Sequence, residues 1–382
     1  MKASTHDRRR ALLVGVLAAA LVLVAGLFAW RAWRVGARYE PSELLAGGNE
    51  PPAPRVSPDS EALERSALEA ASAYAGEHGS QALIVSRHDH IVFEHYWRGT
   101  NFATVADAQA FTRLLPALAT GVAVAHRLIG WPDEPVGTFI SEWRGDARGA
   151  ITVRNLLQSA SGLAGPAALP RDTPLLAALL GLRLTAAPGS RRIDQPADPQ
   201  LLALLLERAS KERFAAYASR VLWRRIGAAD AWLWLDHPGG SAHAECCLRA
   251  RQGDWIRVAE LLLREGNYRG SEIVRPGWVT LMRSPSKADP DYGAFLRVGT
   301  KSAGAAAAYV LPEVFLVAGA GGNRMWLVPS LQIAILCTGD PRGRDVQWDD
   351  TRIPNLIIRG ARDYLPPAAR PGGDVSAIVP GH

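Results

Sequence analysis

Hydrophobic residues are spaced along the chain in a way that predicts strands at both ends of a main domain and helices between them. Short β-rich runs at residues 82–86 and 91–97 flank a polar turn, which is typical of a hairpin. Similar runs recur near the C-terminus, at residues 309–317, 324–328 and 333–338. Stretches of helical composition occupy residues 61–77, 108–129, 151–159, 199–210, 212–226, 254–265 and 275–283. This order predicts an α+β fold whose first and last strands share one sheet.

A different pattern stands at the N-terminus, where residues 11–30 contain no charge. A helix of that length spans a bilayer at about 1.5 Å per residue. Trp30 and Trp33 stand where an interfacial aromatic belt would fall. The end of the stretch lacks the small-x-small pattern of a cleaved signal peptide, so it predicts an uncleaved transmembrane signal anchor. A buried core helix is the alternative.

Basic residues flank this stretch on both sides, with Lys2 and Arg8–Arg10 before it and Arg31, Arg34 and Arg38 after it. The small excess on the leading side favours a cytoplasmic N-terminus. An anchor at the start of a long chain is also usually its export signal. We therefore expect a short cytoplasmic segment at residues 1–10 and a single pass through the cytoplasmic (inner) membrane. The main domain would then be extracytoplasmic, in the periplasm.

Composition suggests the domain limits. Residues 41–60 are rich in Pro, Gly and Ser, so residues 31–60 are predicted to be a linker, and residues 366–382 are predicted to be a flexible tail. The main domain would then span residues 61–365, which is long enough to bury a sizeable core.

Charge excludes one class of function. The chain holds 43 Lys+Arg against 37 Asp+Glu. Seven of these basic residues and only two of the acidic ones lie in residues 1–40, so the rest of the chain is nearly neutral. A neutral domain lacks the basic face that meets phosphates, and we therefore expect no nucleic-acid partner.

Two groups of side chains are candidates for a metal site or for reactive thiols. His88 and His90 could share a strand face, but they lie in a polar hairpin turn, so no metal site is predicted there. Cys246 and Cys247 are adjacent, which disfavours a bridge between them, and their apolar flanks favour packing in the core. We expect neither a metal nor another cofactor.

Six stretches, in order, resemble the serine β-lactamase-related superfamily. This superfamily includes class C β-lactamases, penicillin-binding proteins and other D-Ala-D-Ala peptidases, esterases and nylon-oligomer hydrolases. The longest match is D-E-P-V at residues 133–136, then F-I-S-E-W at 139–143, I-T-V-R-N-L-L at 151–157 and S-A-S-G-L at 159–163. The other matches begin at residues 188, 254, 266, 276 and 319. The resemblance implies the β-lactamase/penicillin-binding-protein fold, in which helices and a helical subdomain flank an antiparallel sheet.

The chemistry of that superfamily rests on three motifs, and each departs from the pattern here. The Ser-x-x-Lys motif falls on Ala110 and Arg113, where alanine has no nucleophilic atom and arginine stays protonated. The Tyr-x-Asn motif falls on Asp194 and Pro196. Of the third motif, Lys-or-His-x-Gly, only Gly319 remains. The resemblance therefore marks these residues as positions of a degenerate pocket, and no catalytic residue is assigned.

Lysine is too scarce for a shift in register to restore the first motif, because no lysine stands between Lys2 and Lys211. A literal S-x-x-K at Ser284 lies in a Pro-rich loop, where the geometry of a buried first helical turn is absent. Pro116 is tolerated if the following helix begins near residue 114, because it then falls in the first helical turn. The turn before it, which should present the nucleophile, is then predicted to be irregular. Since the Lys and Tyr of the superfamily are neighbours, Arg113 and Asp194 would form an ion pair that fills the former active site.

These departures favour a catalytically degenerate protein that acts in binding or scaffolding. By analogy with the family, its partner would be a cell-wall-related ligand or a protein. The alternative is an active serine hydrolase of esterase, amidase or peptidase type, with Thr112, Ser159 or Ser161 as a non-standard nucleophile. A third class is a structural membrane protein without a pocket.

Overall fold

The computed structural model describes residue 26 and residues 41–166, 169, 174–299, 307–319, 322–339 and 348–366. Within these ranges no helix is both long enough and apolar enough to cross a membrane. The anchor predicted at residues 11–30 lies outside the described residues except for residue 26, and so does almost all of the predicted tail.

The strands in the described ranges are short. They are β1 (Ser42–Leu45), β2 (Ser80–Arg87), β3 (His90–Tyr96), β4 (Val105–Asp107), β5 (Ala231–Trp234), β6 (Leu248–Arg251), β7 (Asn267–Tyr268), β8 (Ser271–Glu272), β9 (Phe315–Ala318), β10 (Arg324–Val328) and β11 (Ile333–Gly339). The helices are α1 (Arg65–Glu77), α2 (Leu114–Ala125), α3 (Val153–Leu157), α4 (Leu175–Leu180), α5 (Ala197–Ser210), α6 (Phe214–Ala218), α7 (Trp255–Leu263), α8 (Pro276–Arg283) and α9 (Arg352–Arg359).

The main sheet joins both ends of the domain, as the order of the strands predicts. Its order is β3-β2-β11-β10-β9, and its neighbouring strands run antiparallel. Alternate residues of a strand face opposite sides of a sheet. Accordingly, Leu83 and Val85 pack in a buried cluster with α1 and α9, whereas Ile84 packs in a second cluster with α2, α5 and α7. Both faces are covered, which explains the continuous apolar run at residues 82–85 of β2.

A second, smaller sheet corrects the predicted linker. Its strand order is β1-β5-β6-β4, and β1 lies within residues 41–60. The chain after β1 is also fixed in place, because the buried Arg257 guanidinium donates to the carbonyls of Glu50 and Pro51 at 2.6 and 2.9 Å. Pro and Gly suppress the regular hydrophobic alternation that marks a strand, so composition alone made this segment resemble a linker.

Two further differences concern the C-terminal region. The strand predicted at residues 309–317 begins only at Phe315, because Tyr309 and Leu311 are buried in irregular backbone instead of a strand. Helix α9 was not predicted, although Ile353, Ile357 and Ile358 form its buried face. The other predicted strands and helices are present, with shifts of a few residues at their ends.

Candidate functional site

The segment that holds Ala110 is a 3-10 turn, Gln109–Arg113, and α2 begins only after it, at Leu114. Pro116 lies in the first turn of α2, where its missing N–H costs no helical hydrogen bond. The irregular nucleophile turn predicted from Pro116 is therefore confirmed. Ala110 itself is only half-buried, so its methyl group contributes to an accessible surface.

Two of the predicted pocket positions meet directly. A Cβ atom placed on Gly319 would stand 2.4 Å from the Cβ of Ala110, so Ala110 packs against the glycine at the end of β9. The Arg324 guanidinium donates to the Gly319 carbonyl at 2.8 Å and pairs with Asp350 at 2.6 Å. These contacts hold the end of β9 over the turn that carries Ala110.

The predicted ion pair is present. Arg113 Nη1 lies 2.6 Å from Asp194 Oδ1, with 19% of the Arg113 side chain and 52% of the Asp194 side chain exposed. The Nε atom of Arg113 also donates to the Glu245 carbonyl at 3.4 Å. The Arg113 end of the pair is therefore held by the backbone, and the Asp194 end is open to solvent.

A second arginine approaches Asp194. Arg192 lies 3.7 Å from Asp194 and 3.6 Å from Asp289, and its guanidinium carbon stands 3.5 Å from the ring centroid of Tyr292. Burial raises the pKa of the Tyr292 phenol, and the Asp194 charge raises it further. The site therefore holds a neutral phenol beneath the permanent cation of Arg192. The sequence motifs did not point to Arg192, although its place two residues before Asp194 puts both side chains on one side of an extended segment.

The residue between Asp194 and Pro196 turns inward. Gln195 is buried, and its Nε2 atom contacts Ser161 Oγ at 3.1 Å and Asp198 Oδ1 at 3.2 Å. Its Oε1 atom accepts from the Gly165 amide at 2.9 Å. Pro196 caps the start of α5 and is buried. The second motif therefore contributes one exposed carboxylate, Asp194, to the pocket.

Asp198 is an acidic group that the motifs did not indicate. It is fully buried, and burial raises its pKa to about 7, although hydrogen bonding with Ser161 and Gln195 opposes the rise. A carboxyl with such a pKa can exchange a proton near neutral pH. The sequence signal is an acid in the first turn of a helix whose residues 201–206 are apolar, which is easily attributed to the favourable end of the helix dipole.

The three hydroxyls considered as alternative nucleophiles are all buried. Thr112 donates to the Cys246 carbonyl. Ser159 has a left-handed backbone with φ of 52°, and its hydroxyl has no hydrogen-bond partner among the described residues. Ser161 lies against Gln195 and Asp198. A nucleophile must reach its substrate, and this arrangement gives none of the three a direct route to it.

The polar hairpin forms a set of charged contacts. His88 and His90 each contact one oxygen of Glu61, at 2.6 and 2.7 Å. Burial favours the neutral form of Glu61, but the two histidines hold its pKa below the ordinary range. Asp89 pairs with Arg264 at 2.9 Å.

Two further sequence features remain, the S-x-x-K match at Ser284 and the pair of adjacent cysteines. Ser284 ends α8, and its hydroxyl donates to the Thr280 carbonyl at 2.7 Å, so it does not open a buried helix. Cys246 and Cys247 correct two expectations. Both residues are only half-buried instead of packed in the core, and their Sγ atoms are bonded to each other, although adjacency disfavours a bridge. They lie in the connection between β5 and β6, directly after a turn at residues 244–245.

Three solved structures share this fold at low sequence identity. A family VIII carboxylesterase matches with a TM-score of 0.63 at 13% identity, over 83% of this chain and 99% of its own. A penicillin-binding protein homologue from Caulobacter crescentus matches with a TM-score of 0.60 at 14% identity, over 78% and 98%. A beta-lactamase from Mycobacterium bovis matches with a TM-score of 0.55 at 20% identity, over 76% and 95%. At such identities the likeness shows the fold alone.

No curated protein matches the chain in sequence. The family model described as Beta-lactamase, however, matches residues 66–353, which is most of the chain. This match spans the main sheet and the turn of Ala110, and it agrees with the resemblance carried by residues 133–163. The chain therefore belongs to the serine β-lactamase-related family and has its α+β fold.

Proposed function

We propose that this chain is a member of the family that has lost the acyl-enzyme machinery and acts in binding or scaffolding. The observation that carries the proposal is the 2.6 Å contact between Arg113 and Asp194. It stands where the family has a lysine base and a tyrosine. An acyl-enzyme mechanism needs a group there that can accept a proton from the nucleophile.

Neither member of the pair supplies that chemistry beside Ala110. A guanidinium stays protonated at any physiological pH and cannot act as a base. The Asp194 carboxylate is engaged by Arg113 and lies near Arg192 as well. The methyl of Ala110 offers no atom for attack on a carbonyl. The arrangement favours holding a ligand over transforming it.

The partly exposed charges of this site suit binding. Arg113, Arg192 and Asp194 form an alternating set of cationic and anionic groups, of which Asp194 is the most exposed. Such a set suits a ligand or protein surface that carries both charges, as a cell-wall peptide does. The ligand class is inferred from family analogy, since one relative of this fold is named a penicillin-binding protein homologue.

The apolar stretch at residues 11–30 supports the location that we propose with this function. It would anchor the chain by a single pass in the cytoplasmic membrane, with the folded domain outside the cytoplasm. A binding protein there would meet cell-wall material directly.

A second candidate is a hydrolase with a non-standard nucleophile, and the contact between Ser161 and Asp198 favours it. A carboxyl with a pKa of about 7 could take the Ser161 proton. Both groups are fully buried, however, so substrate would reach them only after a local opening.

Turnover and labelling separate the two candidates. The purified chain is incubated with a fluorescent penicillin and with chromogenic ester and amide substrates, beside an active serine β-lactamase. We expect neither a covalent label nor turnover above that of the Ser161→Ala variant. Specific labelling that this variant loses would replace the proposal with the hydrolase.

A further inference from the structure

A cluster of metal-binding side chains lies beside the pocket, in the connection between β5 and β6. His243, Glu245, Cys246 and Cys247 each offer one donor atom, and these atoms all lie within 4.8 Å of one another. Imidazole, carboxylate and two sulfurs within such a radius form the kind of donor set that binds zinc.

Two atoms of the cluster lack partners although they are buried. The Nε2 atom of His243 and the Oε2 atom of Glu245 have no hydrogen-bond partner among the described residues, and their side chains are 1% and 4% exposed. The other atoms of this pair, Nδ1 and Oε1, contact each other at 2.8 Å. An unpaired buried polar atom costs about 1–3 kcal/mol. A cation bound to both of these atoms would remove that cost.

The backbone around the cluster is held independently of it. The Gln200 side chain accepts from the Ala244 amide at 2.7 Å and donates to the Ala242 carbonyl at 2.8 Å. The His243 amide donates to the Trp234 carbonyl at 2.8 Å. The backbone that carries the donor side chains is therefore positioned by the fold, and Cys246 and Cys247 are only partly buried.

We propose that the cluster binds a thiophilic divalent cation such as Zn²⁺ when Cys246 and Cys247 are reduced. In the bonded form the two sulfurs are neutral and offer no thiolate. An external dithiol transfers two electrons and two protons to the bond, which yields two thiols and an oxidised reductant. The cation then displaces one proton from each thiol and is held by two thiolates with His243 and Glu245.

The cluster is hydrogen-bonded to the turn that carries Ala110. The Cys246 carbonyl accepts from Thr112, and the Glu245 carbonyl accepts from Arg113. Cation binding at these residues would therefore brace the turn that carries Ala110. The inference does not depend on whether the pocket binds or hydrolyses, because it rests on donor atoms outside the pocket motifs.

The test uses the full chain, reduced with a phosphine and freed of metal, and titrated with Co²⁺ and then Zn²⁺. We expect one equivalent of Co²⁺, a thiolate-to-cobalt charge-transfer band, and displacement of the Co²⁺ by Zn²⁺. The oxidised chain should show no band. Cys246→Ser and His243→Gln should each weaken binding more than about tenfold, since even the loss of a partner to a metal ligand costs about that much.

Cys337 provides the matched control, because it is a buried cysteine on β11, outside the cluster. Cys337→Ser should bind Co²⁺ as the wild-type chain does. The absence of a stoichiometric band in the reduced wild-type chain would overturn the proposal, whatever the variants do. Equal affinity in the wild type and His243→Gln would overturn it as well.

Discussion

Ala110 and Gly319 are in direct contact, such that a Cβ atom on residue 319 would stand 2.4 Å from the Cβ of Ala110. These are the positions at which the first and third motifs of the family fall. The fold therefore brings the motif positions together as in a member of the family, while the side chains needed for acyl transfer are missing from them.

This contact predicts a loss of stability in Gly319→Ala. The added methyl would overlap Ala110, and relief would require a shift of β9, so we expect a loss of about 1–3 kcal/mol in the free energy of unfolding. Gly277→Ala is the matched control, since nothing lies within 4 Å of a Cβ placed there. Urea unfolding measures both. Equal stability of the two variants would show that the contact is looser than described.

The Arg113–Asp194 pair should contribute little to stability, because half of the Asp194 side chain is exposed. A double-mutant cycle with Arg113→Ala and Asp194→Ala should give a coupling energy of about 0.5 kcal/mol, which falls as salt is added. The pair of Arg154 and Asp133, with 31% and 53% exposure, offers a comparison of similar carboxylate exposure in which Arg154 contacts both Asp133 oxygens. A coupling energy above about 2 kcal/mol would mark the pair as a stabilising element, contrary to its proposed role in the pocket.

Asp198 predicts a specific pH dependence. Its pKa is about 7 in the folded chain against an ordinary value of 3.8. Between these values the folded state holds a proton that the unfolded state has released, so this group's contribution to stability falls as pH rises toward 7 and then levels off. The largest slope is about 1.4 kcal/mol per pH unit.

Asp198→Asn should remove this contribution. We expect the stability of the variant relative to the wild type to improve by about 2 kcal/mol between pH 5 and pH 8 in urea unfolding. Glu142→Gln is the control, because the Arg208 guanidinium lowers the pKa of Glu142 to about 2, so it does not titrate in this range. If the difference in the free energy of unfolding between Asp198→Asn and the wild type stayed constant with pH, it would contradict the raised pKa of Asp198.

The proposed membrane anchor predicts how the full chain partitions. It should remain in the membrane pellet after extraction with alkaline carbonate. Leu21→Arg places a charge at the centre of the stretch, at a cost of about 2.5–3.5 kcal/mol, and should shift protein to the supernatant. Leu44→Arg, on the exposed side of β1, should leave the partition unchanged. Release of the wild-type chain by carbonate would argue against the anchor.

Much of the site was predictable because the relevant signals are local. Pro116 indicated the break before α2, and the replacement of Lys by Arg113 and of Tyr by Asp194 indicated the ion pair. Both inferences use properties that a residue keeps in any surroundings: a missing amide and a fixed charge.

The features that were missed depend on distant contacts. The raised pKa of Asp198 results from burial, which a single acid in the sequence does not report. The role of β1 depends on its pairing with β5, nearly 190 residues later in the chain. Cys246 and Cys247 stand between Glu245 and Leu248, a sequence that does not report that the turn between β5 and β6 leaves them half-buried.

The central claim is the loss of the acyl-enzyme nucleophile, and intact-mass spectrometry after incubation with a fluorophosphonate tests it most directly. The probe phosphonylates an activated serine or threonine whatever the substrate class, and an active serine β-lactamase serves as the positive control. We predict that the mass of the full chain stays unchanged while the control gains one adduct. A stoichiometric adduct that maps to Thr112, Ser159 or Ser161 would contradict the account.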